Sequence, residues 1–266
     1  MKAALYSAFH HAQPLSPSSF FSFRRSPGGH CRPALPRHCN RQPLKATSTL
    51  SEIIYTMRLF SSLFASFLFA ATCHAQTGTV LPPNAIVEGK SQAEWSRAWW
   101  QWAGSFDRDN SPVGDRTGDK CHLKQNGSVW FLAGTYGSHR TVRTCTIPQG
   151  RAVFFPLINY VVMPSGTGSL TCEIATGAAR TMTDEPSSLV LEINGVRVPN
   201  LERHRQASPE CFDLAAQANS PARVFPSAAN GYYVMLAPLA PGRYVLNFGG
   251  VLPRLAQALT YTLVVE

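Results

Sequence analysis

The segment that most constrains this chain is residues 57–75, "MRLFSSLFASFLFAATCHA". Met57 and Arg58 form a short positive start, and Leu59–Ala71 form an apolar run of 13 residues. Cys73 and Ala75 are small residues at the −3 and −1 positions of a cleavage site before Gln76. This is the pattern of a secretory signal peptide, and the run is too short for a comfortable membrane span. It sets two boundary conditions. The folding chain is expected to begin at Gln76, with no stable membrane span after cleavage, and to fold where thiols oxidise.

Residues 1–56 then stand in front of an export signal. They are rich in Ser, Pro, Arg and His, hold Glu52 as their only acid, and show no period of 2 or 3.6. Either they are a transit-type leader, which is Arg- and Ser-rich and acid-poor, or translation starts at Met57. We favour the second reading, because the apolar run and cleavage site come directly after Met57. The expected organisation is a disordered leader over 1–56, a signal peptide over 57–75, and a single exported domain over 76–266, periplasmic or extracellular.

That division changes the meaning of the charge. The whole chain is formally +9, but residues 76–266 carry 16 Lys and Arg against 14 acids. The basic residues there are scattered, whereas a nucleic-acid binder clusters them on one face. No nucleic-acid partner is expected. The cysteines respond to the same cut. Cys31, Cys39 and Cys73 fall away, and Cys121, Cys145, Cys172 and Cys211 remain. Four cysteines in an exported chain point to two disulfides, with three possible pairings that sequence alone does not decide. We prefer the sequential pairs Cys121–Cys145 and Cys172–Cys211, each worth roughly 3–4 kcal/mol in the chain-entropy model. A hairpin or a neighbouring placement of the strands near Cys121 and Cys145 would bring that pair together. No CxxC spacing occurs, and His122, His139 and His204 are far apart, so neither a metal nor a cofactor is expected.

Ser91 and Glu94 form a capping box. Trp95, Trp99 and Trp102 then recur on one helical face, and Gly104 is a stop, which predicts a helix over about 91–104. Most of the chain beyond this helix reads as strands. "VWFLAG" (129–134) and "AVFFPLINYVV" (152–162) are continuous apolar runs, the second with Pro156 inside it, a sign of a bend, bulge or edge. "TVRTCTI" (141–147) and "LTYTLVV" (259–265) alternate. "SLVLEI" and "VRV" flank Asn194-Gly195, a two-residue hairpin signal. "GYYVMLA" (231–237) and "RYVLNF" (243–248) complete the set. Residues 164–188 and 200–230 read as long connections. The predicted fold is an all-β antiparallel sandwich with one short N-terminal amphipathic helix.

Several stretches, in order, resemble an uncharacterised family of exported bacterial proteins: "WSRAWWQWA" (95–103), "DRTGDKC" (115–121), "GSVWFLAGT" (127–135), "RTCTIPQG" (143–150), "FFPLIN" (154–159) and "GYYVMLAPLAPGRY" (231–244). The resemblance implies export and the unity of the domain. It implies no activity and supplies no catalytic residues.

Candidate sites are few. Trp95, Trp99 and Trp102 are expected to dock the helix on the sheet, while Trp100 lies off that face and is the candidate ligand-contacting residue. Asp107, Asp109, Asp115 and Asp119 crowd one loop, but the EF-hand pattern fails at Pro112 and Gly118. Asn126-Gly127-Ser128 fits a glycosylation sequon, without meaning in a bacterial protein. No G-x-S-x-G, H-E-x-x-H or P-loop is present. His122, His139 and Glu173 are the titratable groups near cysteines, and none is assigned a catalytic role. The reading is an exported, non-catalytic binding domain for a glycan, another surface ligand or an envelope protein. The alternatives are a structural or protein-interaction domain and a secreted hydrolase or lyase.

Overall fold

The computed structural model describes residues 78–137, 140–166 and 168–266. The leader, the signal peptide and His139 lie outside these residues. The described chain is mostly β, in two sheets, with few helices.

The first sheet has the order β1-β3-β7-β6: β1 (Val129–Phe131), β3 (Ala152–Val162), β7 (Ala228–Leu236) and β6 (Arg205–Ala207). The second has the order β2-β9-β8-β4-β5: β2 (Arg140–Ile147), β9 (Leu255–Val265), β8 (Gly242–Leu252), β4 (Ser188–Ile193) and β5 (Val196–Arg197). The inner faces of both sheets share one apolar core. Val153, Phe155 and Leu157 of the first meet Leu246, Phe248 and Leu263 of the second. The rings of Phe155 and Phe248 are 4.5 Å apart.

The strand patterns state which faces are covered. β7 is buried at every position and β3 at nearly every one. A strand buried on both faces reads as a continuous apolar run. β8 and β9 alternate buried with partly exposed residues, so the second sheet has only one covered face. Pro156, which cannot donate to a ladder, sits in a central strand at a register shift between Pro156 and Ile158. The bulge admits the proline there.

Helix α1 (Gln92–Ala103) roofs the outer face of the first sheet. Ser91 Oγ accepts from Glu94 N, and Glu94 accepts from Ser91 N, so the capping box is formed. Trp95, Trp99 and Trp102 pack on Phe131, Phe154 and Tyr233. Their indole N–H groups donate to Val87 O, Leu132 O and Leu123 O respectively. A buried indole N–H left unpaired would cost about 1–3 kcal/mol, so these bonds add to the packing that holds the roof.

The expectation of an antiparallel arrangement with one helix is corrected at two points. First, β1 runs parallel to β3, and β2 runs parallel to β9. Second, α2 (Cys172–Met182) occupies a segment expected to be a connection. Thr171 caps it, accepting from Ile174 N. Its buried stripe is only Ala175 and Ala179, packed on Ala228, and too small to stand out as an apolar period.

Both sequential disulfides form, Cys121–Cys145 and Cys172–Cys211, with Cα atoms 6.0 and 5.8 Å apart. The hairpin or neighbouring strands expected to unite the first pair are not what joins it, since β1 and β2 lie in different sheets. Instead the loop before β1 crosses to the edge of β2. There Thr144 N donates to Thr117 O, and a Cβ on Gly118 (φ +100) would fall 2.1 Å from Thr144 O, so only glycine fits. Two disulfides suit an oxidising, extracellular-type compartment.

Candidate functional site

The bare outer face of the second sheet carries a surface groove. The pairing register places Val142, Thr260, Asn247, Glu192 and Arg197 in one row across the five strands, with Arg140, Ala258, Gly249 and Val190 in the next. Successive strands are about 4.8 Å apart, so the row from β2 to β4 spans roughly 14 Å. The groove is a shallow, open depression of about 490 Å³. Its floor is low because a Cβ at Gly249 would meet Gln257 O at 2.1 Å, which forces a glycine opposite Ala258.

Polar groups cross this groove in a connected track. Arg140 Nη2 donates to Thr260 Oγ1 at 3.4 Å, and Thr260 Oγ1 donates to Asn247 Oδ1 at 2.8 Å. Glu192 sits beside Asn247 on the neighbouring strand. A cation therefore stands at one end and a carboxylate at the other, with a hydroxyl and an amide between them. Phe248, though it borders the groove, is buried with its ring on Phe155 and Tyr261. The groove therefore offers hydrogen-bonding and charged groups rather than a ring to stack on. The second groove, about 310 Å³, lies between Pro186–Leu189 and Arg197–Glu202.

Trp100 lines neither groove. It is partly buried between α1's cluster and a second one formed by Val161, Phe212, Leu214 and Ala229. Its Nε1 donates to Tyr233 Oη at 2.9 Å, and Asn159 Nδ2 donates to the same oxygen at 3.2 Å. Burial pushes the Tyr233 phenol well above its ordinary value, although both hydrogen bonds oppose the shift.

The four aspartates do not converge. Asp107, Asp109 and Asp119 are exposed, while Asp115 is half-buried. Its oxygens accept from Thr117 N, Thr117 Oγ1, Gly118 N and Lys120 N. Desolvation pushes its pKa up, but these bonds and the Arg143 charge outweigh that and hold it below the usual carboxylate value. Among the described residues no three His, Cys, Asp or Glu side chains gather as a metal site. His122 and Glu173 are exposed. His204 is buried, bonded to the Tyr233 backbone, with Nδ1 unpartnered; desolvation lowers its pKa against the opposing Tyr233 bond and Glu202 charge.

The sequence reading missed Arg143, which is 1 % exposed. Its guanidinium donates to the carbonyls of Asp115, Ala133, Gly134 and Val113 and to Tyr261 Oη. It fixes the 113–115 loop and the 133–134 segment against the second sheet. The signal was present in the alternation of "RTCTI", which puts Arg143 on the same face as Cys145 and Ile147.

No family model and no curated protein matches the chain. Among solved structures, that of PbICP-C in complex with falcipain-2 contains a matching chain, at a TM-score of 0.25 and 11 % identity, over 53 % of this chain and 100 % of that one. A likeness that low carries no argument.

Proposed function

We propose that residues 76–266 are an exported, non-catalytic binding module on a sandwich scaffold, whose ligand lies in the groove on the outer face of β2, β9, β8 and β4. The observation that carries this reading is the bonded track from Arg140 through Thr260 to Asn247, with Glu192 beside it on the next strand, on the bare outer face of the second sheet. The track suits an extended polar ligand offering an acidic group to Arg140, hydroxyl or amide groups to Thr260 and Asn247, and a cationic or hydroxyl group to Glu192. Soluble cell-wall muropeptides carry all of these groups. The resemblance to exported bacterial proteins and the signal-like segment at 57–75 agree with an envelope setting.

The test is calorimetric titration of the mature, oxidised protein with a disaccharide-tetrapeptide muropeptide. Arg140→Ala and Glu192→Gln should each weaken binding about tenfold, the size of one lost charge-assisted hydrogen bond. Binding unaffected by either change, yet abolished by Trp100→Ala, would move the site to α1.

A second reading is favoured by one observation. Val142 and Val251 are 57 % and 40 % exposed, and both point outward from this same face. They fit a protein partner laid over the sheet, with the groove as part of the contact.

A further inference from the structure

The chain holds three Asn-Gly pairs, at 126–127, 194–195 and 230–231. An asparagine before glycine can cyclise on its own main chain, because glycine leaves the attacking nitrogen unshielded. The reaction needs the side-chain Cγ to swing onto the following nitrogen, so the surroundings decide which pair reacts.

Two of the pairs are held. Asn194 lies in the hairpin turn, at φ 51 with Gly195 at φ 80, and its Oδ1 accepts from Val245 N at 2.8 Å. Asn230 is 6 % exposed within β7, and its Oδ1 accepts from Thr183 Oγ1 and Arg205 Nε, each at 3.0 Å. Asn126 is exposed, whereas Asn194 is half-buried; a Cβ on Gly127, at φ 82, would meet open space, as would one on Gly195.

We infer that Asn126 is a site of spontaneous, self-catalysed modification, with water as the only co-reactant. The Gly127 nitrogen attacks Asn126 Cγ. The new Cγ–N bond forms as the Cγ–Nδ2 bond breaks, and Nδ2 leaves as ammonia with the proton from the Gly127 amide. Water then opens the cyclic imide at one of its two carbonyls. Opening at the main-chain carbonyl leaves isoaspartate, whose backbone runs through Cβ and Cγ and is one methylene longer. Opening at Cγ leaves aspartate.

The position gives this change a structural consequence. Gln125 stands in for a missing neighbour strand at the edge of β1. Its Nε2 donates to Phe131 O at 2.8 Å and to Cys121 O at 2.9 Å, and its Oε1 accepts from Phe131 N at 2.9 Å. Arg151 Nη1 holds the Gln125 carbonyl at 3.0 Å. Isoaspartate at 126 lengthens the chain immediately after this strap and adds a negative charge there. The strap loosens, and the β1 edge becomes open to pairing.

The experiment is peptide mass spectrometry of the mature, oxidised protein held in warm, mildly alkaline buffer, beside the same chain in urea. In the folded protein Asn126 should convert about tenfold faster than Asn194 and Asn230, while in urea all three should convert at similar rates. The converted fraction should show faster hydrogen exchange at the Phe131 amide, and Asn126→Gln should show neither change. Equal or faster conversion at Asn194 or Asn230 in the folded protein would overturn the site. So would an intact Asn126 in the folded protein alongside rapid conversion in urea. Unchanged exchange at Phe131 would overturn the opening of the β1 edge.

Discussion

The two sheets have opposite outer faces. On the first, three indoles lie over Phe131, Phe154 and Tyr233, and each indole N–H ends on a backbone carbonyl. On the second, the outward residues are charged, polar or β-branched, among them Arg140, Glu192, Asn247, Thr260 and Val142, and a groove lies open among them. Under the proposed function the difference separates stability from recognition. The first face is part of the core and has little freedom to meet a ligand without unfolding. The second contributes little to the core and is free to be shaped by what it contacts.

The sharpest way to break this comparison is to cut one residue from each face. Trp99→Ala removes a 2 % exposed indole and should cost about 4 kcal/mol. Thr260→Ala, in the row of the open groove, should stay within about 0.5 kcal/mol. Urea denaturation of both variants decides the matter, and similar losses would show that the faces do not differ as described.

Arg143→Met should cost about 3 kcal/mol, measured in the same way, because it strips the side-chain donor from the Val113, Asp115 and Gly134 carbonyls and leaves Ala133 O with Tyr261 Oη alone. Its effect should appear first as faster hydrogen exchange in the 113–118 loop, with the roof of α1 unaffected.

Trp100→Phe keeps an aromatic ring but removes the bond to Tyr233 Oη. A loss of about 1 kcal/mol is expected, with no change in muropeptide affinity. A large affinity loss at unchanged stability would restore Trp100 as a ligand contact.

The smallest effect concerns pH. The folded-state pKa of His204 lies below its ordinary 6.5, so below that value the unfolded chain binds the extra proton first. Stability from the neutral, buried imidazole is complete above pH 6.5 and falls as the pH drops toward the folded-state value. His204→Gln should flatten that part of the stability curve. Asp115 acts further down, where its lowered pKa gives stability that is present above about 3.8 and lost as acid protonates it.

Much of the fold was legible because its codes are local. The Ser91–Glu94 box and the Asn194-Gly195 turn each act within a few residues, and "AVFFPLINYVV" declares a strand covered on both sides. The parallel pairing of β1 with β3 and of β2 with β9 was not legible. Both join segments far apart in sequence, and an apolar run does not state its partner's direction. Helix α2 was missed because its buried stripe is two alanines. The groove was missed for a related reason. Its residues — Arg140, Glu192, Asn247 and Thr260 — come from four strands, and only the register sets them in line. Trp100 drew notice as an aromatic off the helix's apolar face, but a second cluster at Phe212 and Leu214 packs against it.

The bare face of the second sheet as the ligand surface is tested most directly by amide NMR of the mature, oxidised protein titrated with the disaccharide-tetrapeptide muropeptide. The shifts should concentrate at Arg140, Glu192, Asn247 and Thr260, with α1 silent. Shifts centred on Trp100 and α1, or none at millimolar ligand, would contradict it.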